Sequence, residues 1–301
     1  MTMAPVSWLH NALHKATRPK QSIISVLKQQ LGGPQRGRSM AVLHASDVTK
    51  VDFCPKRWAL FDLFEKEPPM DRIATAMDVT YQMGLLVEQT LIEEWAGQAV
   101  VGNWRCRLCG EQRSMVPKPT GCCTTGKKHW WQHLQTVVEA PEYGLQGGID
   151  ALFNIGAPQL IVTELKTLNP AEFDTIVVPF PEHRLRTNLY LKILDESHHP
   201  HKEKICTTEA RVLYISRGYG KLNAEWNEIL PFKEFVVKRN DADLAEFLKR
   251  ASALKNFRQT GMLPAGICAT ALDKIAKQCS VCQPCFSGQY VAGKYPPSPE
   301  E

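Results

Sequence analysis

Glu164-Leu165-Lys166 follows an apolar run, Leu160-Ile161-Val162, that reads as a β-strand. Alternation along a strand puts Glu164 and Lys166 on one face and Leu165 on the other. Upstream, Asp150 ends the run Gly147-Gly148-Ile149, and Ile155-Gly156-Ala157-Pro158 between them has the composition of a hairpin turn. A hairpin there brings Asp150 beside Glu164. Two carboxylates meeting at one point offer hard oxygen ligands to Mg²⁺ or Mn²⁺, and the Leu165 carbonyl offers a third. Such an ion acidifies a water and stabilises charge on a phosphodiester, while Lys166 positions the nucleophile or neutralises the transition state. An E-x-K tripeptide by itself is more often an exposed ion pair on a half-buried strand. The rest of the chain has to decide between the two.

Cysteine is the second source of chemistry. There are 10, and two groups account for all but Cys54 and Cys206. The later group, Cys268, Cys279, Cys282 and Cys285, places thiolates at short spacings that core packing does not explain. It implies a soft metal site, zinc or iron–sulfur. The earlier group opens with Cys106-Arg107-Leu108-Cys109-Gly110, half of a zinc knuckle, with Gly110 allowing the tight turn. Its other half draws on Cys122, Cys123, His129 and His133. Cys106, Cys109, Cys122 and His129 form one complete set, with Cys123 or His133 as substitutes, and a loop of redox-labile cysteines is the alternative. Lys127-Lys128-His129-Trp130-Trp131 beside it suits stacking on unpaired bases or the packing of a zinc ribbon. Cys206 reads as a plain buried thiol.

The elements that must hold these residues form an α/β pattern with a mixed sheet. A helix is expected over residues 80–96, with Met83, Leu86, Leu91 and Trp95 among its apolar positions. Strands are expected at Gln135–Ala140, Leu145–Asn154 and Gln159–Thr167. A helix near 182–196, strands near 209–216 and 230–238 and a helix over 241–259 follow. Residues 1–43 read as a basic appendage containing a short amphipathic helix, Ile23 to Leu31, and an N-cap signal at Ser46-Asp47 opens the next helix. Residues 102–133 break the pattern and read as an insertion, and the Pro-rich tail 287–301 as disordered.

Composition narrows the classes. The 301 residues are 44% hydrophobic, enough for a sizeable core, and the net charge of +5 permits a nucleic-acid partner without requiring one. No apolar run has the length of a membrane span, and the N-terminus lacks a signal-peptide core, so a soluble cytoplasmic protein with no membrane partner is expected. A reducing compartment favours metal ligation over disulfides for the cysteines.

Cys54-Pro55-Lys56-Arg57-Trp58 completes a set of motifs. With Gly147-Gly148-Ile149-Asp150, Glu164-Leu165-Lys166 and the C-terminal cysteines, it resembles the RecB-like PD-(D/E)XK nucleases, particularly the CRISPR-associated Cas-four type and its phage-encoded relatives. The likeness covers roughly residues 44–101 and 134–286. It implies a restriction-endonuclease-like core with a mixed central sheet flanked by helices. It also implies DNA exonuclease activity with Mg²⁺ or Mn²⁺, and a [4Fe-4S] clasp held by Cys54, Cys268, Cys279 and Cys285, with Cys282 as a substitute. The implied setting is replication, recombination or repair in a phage or CRISPR-type system, which for a phage-encoded chain means the host cytoplasm. Recombination or replication proteins would be partners, and an oligomer is open. Two positions depart from the family pattern. Glu88, four residues after Gly84, stands where relatives carry histidine and can still ligate a cation. Arg186-Thr187-Asn188-Leu189-Tyr190 replaces a Q-x-x-x-Y motif, so that Arg186 and Tyr190 are the expected DNA contacts. A non-catalytic DNA-binding accessory protein on the same fold is the alternative reading.

Overall fold

The computed structural model describes residues 42–64, 75–120, 130–197, 199–218, 221–222 and 228–288. The chain divides into two compact units, residues 1–37 with 70–83 and residues 38–69 with 84–301. The expected helix at Ile23–Leu31 and the tail from 289 onward lie outside the described residues.

The larger unit opens with β1 (Leu43–His44) and a single helical turn, α1 (Ala45–Val48). Helix entry falls at His44 rather than at Ser46, because His44 is held extended by pairing with Gln146 and the chain turns helical directly after it. Helix α2 (Pro55–Leu63) begins on Pro55, whose fixed φ suits a first helical position, with Cys54 as N-cap. Helix α3 (Thr75–Thr90) runs into a π-type turn, Leu91–Trp95. The wider turn sends three consecutive residues inward, Leu91, Ile92 and Glu93, and leaves Trp95 exposed, while Leu86 of α3 is also exposed.

Strands β2 (Val100–Cys106), β3 (Gln112–Pro117), β4 (Trp131–Leu134), β5 (Thr136–Ala140), β6 (Leu145–Ile149), β7 (Ala151–Phe153) and β8 (Leu160–Leu168) follow. After them come α4 (Pro170–Thr175), α5 (Pro181–Glu196) and β9 (Ile205–Ser216). The chain continues with β10 (Lys221–Leu222), β11 (Glu228–Ile229), β12 (Phe232–Lys238), α6 (Ala245–Thr260), α7 (Lys274–Lys277) and α8 (Cys282–Ser287). One sheet has the order β12-β9-β8-β7-β2-β3, with β4 also paired to β2, and a smaller sheet has the order β1-β6-β5. In the large sheet β8 and β9 are parallel and the other pairs antiparallel, so the sheet is mixed. The parallel pair requires a crossover, which α4 and α5 supply. Within the stretch expected as an insertion, β2, β3 and β4 belong to the large sheet.

Helices flank the sheets. Leu185, Leu189 and Ile193 of α5 share a core with Val162 of β8, Ala210 of β9 and Leu248 and Leu254 of α6. Among the described residues, no helix is long and apolar enough to cross a membrane.

The expected strand Leu145–Asn154 breaks at Asp150. β6 pairs with β5 in the small sheet, whereas β7 pairs with β8 in the large one. Asp150 sits at the seam between them.

Candidate active site

The register Ala151↔Thr163 sets Asp150 against Glu164 across the β7–β8 hairpin. Asp150 Oδ2 accepts the Leu165 N–H at 2.9 Å, and Oδ1 accepts the Gln135 side-chain amide at 3.1 Å. The two glycines before it make room for these arrangements. A Cβ on Gly147 would stand 2.6 Å from the Tyr190 ring, and one on Gly148 would stand 2.5 Å from Gln135 Oε1.

Glu164 is 1% exposed, in the middle of β8. Its Oε1 takes two cations, Lys166 Nζ at 2.7 Å and Arg186 Nη1 at 2.9 Å. Its Oε2 is buried with no hydrogen-bond partner. Lys166 Nζ also reaches Asp150 Oδ2 at 3.3 Å and the Leu165 carbonyl at 2.7 Å. Leu165 itself points to the other side, in an apolar cluster with Ala151 and Trp104, as strand alternation requires.

Glu88 approaches from α3. The helix passes close to β8 at Gly84, where a Cβ would lie 3.0 Å from Thr167 Oγ1. Burial, then the charge of Asp150, with a smaller contribution from Glu164, pushes the Glu88 carboxyl up to about 8 against the pull of Lys166. Burial and the charge of Glu164 likewise raise Asp150 above the usual carboxylate range. Burial opposes the charge on Lys166, but Asp150 and Glu164 outweigh it and hold the ammonium above its ordinary range. Three acids repelling one another in a largely buried centre are what a divalent cation relieves, and the lone Oε2 of Glu164 is an acceptor to spare for it.

Arg186 lies on α5 with its Nε buried and lacking a hydrogen-bond partner. Tyr190, one turn further along, is 4% exposed with its ring beneath Gly147. That placement suits it to supporting the strand that ends in Asp150. The motifs do not mark Gln135. Only the pairing of β5 with β6 carries it beside Asp150. His133 sits on β4 edge-on to Trp104, with ring centroids 5.1 Å apart. Burial lowers its pKa to about 4 against the attraction of Asp150, so the ring is neutral at physiological pH.

Cys54, Cys268, Cys279, Cys282 and Cys285 line one cavity. The last three come from the C-terminal segment, which docks on α2 through Leu60, Phe61, Phe64 and Val281. Lys56 Nζ donates to the Cys285 carbonyl at 2.8 Å and ties the two ends together. Burial raises the thiols of Cys268, Cys279 and Cys285, and each is raised further by the nearby Cys54. Arg57 opposes the rise at Cys279, and Lys56 opposes it at Cys285. Asp52, Arg57, Ile275 and Phe286 also line this cavity. Cys106 is buried and Cys109 exposed at the ends of one turn. There the Gly110 N–H reaches the Cys106 carbonyl at 2.9 Å with Gly110 at φ 76°. Cys122, Cys123 and His129 lie outside the described residues. Cys206 is buried, its sulfur 3.3 Å from Thr208 Oγ1. Among the described residues, no three His, Cys, Asp or Glu side chains converge tightly enough to hold a metal as they stand. At the carboxylate centre the ammonium of Lys166 lies between two of the acids.

Fold and site together define a mixed α/β protein with a buried carboxylate–lysine centre at the junction of two sheets. Solved structures that align with this chain include an alkaline exonuclease (LHK-Exo) from Laribacter hongkongensis, at 14% identity and TM-score 0.41, covering 74% of this chain and 90% of that one. The same exonuclease in complex with dAMP aligns with TM-score 0.40 at 14% identity over the same shares. The crystal structure of SSO0001 aligns with TM-score 0.38 at 13% identity, over 78% of this chain and 83% of that one. No protein-family model and no curated protein sequence matches the chain.

Proposed function

We propose that this chain is a divalent-metal-dependent DNA exonuclease that hydrolyses phosphodiester bonds at DNA ends, single-stranded ends included. The observation that carries the reading is the buried, unpartnered Oε2 of Glu164 in a centre shared with Asp150 and Glu88. Glu88, Asp150, Glu164 and the Leu165 carbonyl would hold Mg²⁺ or Mn²⁺. A bound ion of this kind acidifies water and offsets charge on a phosphodiester.

The chain's own residues do the rest. Gln135 and the Leu165 N–H fix the Asp150 carboxylate, each by one hydrogen bond. Lys166 presents an ammonium donor at the point where phosphate charge develops. Arg186 steadies Glu164 through its Nη1 and would offer another guanidinium N–H to a phosphate oxygen.

Cys54, Cys268, Cys279 and Cys285 would hold a [4Fe-4S] cluster that clasps α2 to the C-terminal segment. Cys106 and Cys109, with ligands from Cys122, Cys123, His129 or His133, would hold a structural zinc. The biological setting we propose is DNA replication, recombination or repair in a phage or CRISPR-type system, with recombination or replication proteins as partners.

A second reading, a non-catalytic DNA-binding accessory protein, is favoured by one observation: Lys166 and Arg186 are both spent on the same oxygen of Glu164. Incubation of the purified protein with DNA, first in EDTA and then with Mn²⁺, separates the two. The nuclease binds in EDTA and shortens the DNA once Mn²⁺ is added. The accessory protein binds in both and leaves the DNA uncut.

A further inference from the structure

Lys166 Nζ makes three close contacts: Glu164 Oε1 at 2.7 Å, the Leu165 carbonyl at 2.7 Å and Asp150 Oδ2 at 3.3 Å. These are oxygens of three of the four groups proposed above as divalent-cation ligands. An ammonium is a compact point charge satisfied by oxygens at hydrogen-bond distance, so it can stand where a metal ion would stand. Mg²⁺ draws its ligands in to about 2.0–2.1 Å, and two cations cannot share one set of oxygens at that range.

We infer that the Lys166 ammonium is a placeholder in the cation position, which a divalent ion must displace, so that Lys166 sets metal affinity as well as serving the reaction. The inference rests on the proposed metal centre. The lysine has a way out, because its side chain is 24% exposed on a flexible four-carbon stem, whereas Glu164 beside it is 1% exposed. Arg186 differs in the respect that matters. It holds Glu164 Oε1 at 2.9 Å, and no hydrogen bond links it to Asp150 or to the Leu165 carbonyl, so it stays in place when the ion arrives. The spare Oε2 of Glu164 gives the incoming ion a first foothold while Oε1 is still engaged.

The test is Mn²⁺ binding to the purified full-length protein without DNA, read from the electron paramagnetic resonance signal of free Mn²⁺. Four proteins are compared: wild type, Lys166→Gln, Arg186→Gln and Asp150→Asn. Lys166→Gln keeps a donor for the Leu165 carbonyl without the charge, and Lys166→Met serves as a second variant should the first fold poorly. The placeholder role requires Lys166→Gln to bind Mn²⁺ roughly tenfold or more tightly than wild type, with Arg186→Gln changing affinity by less than about threefold. Equal or weaker binding by both lysine variants overturns the inference, and so does an equal gain in Arg186→Gln, which would reflect general charge rather than displacement. In either of those cases, Mn²⁺ binding that still depends on Asp150 leaves the proposed metal centre standing. Loss of that dependence, with Asp150→Asn binding like wild type, overturns the centre and the inference together.

Discussion

Gln135 donates its side-chain amide to Asp150 Oδ1 at 3.1 Å, and the space its own carbonyl needs exists because position 148 has no Cβ. The Gly147-Gly148-Ile149-Asp150 run is therefore two clearances followed by an acid, with Tyr190 filling the first clearance and Gln135 the second. Partners that orient a ligating carboxylate typically matter 10–100-fold. Gln135→Leu should lower Mn²⁺-dependent DNA cleavage by roughly that factor, and Gly148→Ala should do the same by displacing Gln135. Initial rates on end-labelled DNA at fixed Mn²⁺ check this. A loss in Gly148→Ala with none in Gln135→Leu would detach the glycine from the glutamine.

Glu93 is a buried carboxylate in the π-type turn after α3. It accepts the Gln89 side-chain amide at 3.0 Å and the His133 N–H at 3.1 Å, with Arg107 at 3.9 Å. It thus ties the helix carrying Glu88 to the strand before Gln135. Glu93→Ala strands the His133 N–H and should cost about 1–3 kcal/mol of unfolding free energy, measured in denaturant. Glu93→Gln keeps an acceptor oxygen and should cost less than half as much.

The Glu88 carboxyl, held up to about 8, makes stability depend on pH. In the unfolded chain it ionises near an ordinary carboxylate value, about 4.3. Its contribution is therefore fully present below that value, fades as pH rises, and is lost once pH passes about 8. In metal-free buffer the melting temperature of wild type should fall between those limits more steeply than that of Glu88→Gln. Saturating Mn²⁺ should flatten the difference by favouring the ionised form. Parallel melting curves for the two proteins across this range would remove Glu88 from the centre.

The thiol cavity makes a separable prediction. Serine at Cys54, Cys268, Cys279 or Cys285 should abolish the visible absorbance and bound iron of an anaerobic preparation, whereas Cys282→Ser should retain both. Loss in Cys282→Ser with retention in Cys285→Ser would exchange the two ligands.

The strand that carries Glu164 and Lys166 was legible in the sequence because local rules decide it. An apolar run, strand alternation and a turn of glycine and proline suffice to put Glu164 and Lys166 on one face and Asp150 across the hairpin. Helix α5, strand β12 and helix α6 were legible for the same reason. What could not be read depends on long-range pairing. Nothing local announces that Leu145–Asn154 splits at Asp150 between two sheets, since both halves alternate like a single strand. Gln135 carries no motif and reaches Asp150 only through the β5–β6 register. The π-type turn inserts its extra residue without a proline or glycine signal, so Trp95 reads as apolar helix and yet stands 61% exposed.

Glu164 and Lys166 are proposed above as a hydrolytic centre for DNA. Its most direct measurement is digestion of DNA labelled at either end by wild type, Glu164→Ala and Lys166→Ala with Mg²⁺ or Mn²⁺. Wild type should release label or shorten the strand from an end, and each variant should lose at least roughly a hundredfold in rate while still folding. Full metal-dependent cleavage by both variants would contradict the account.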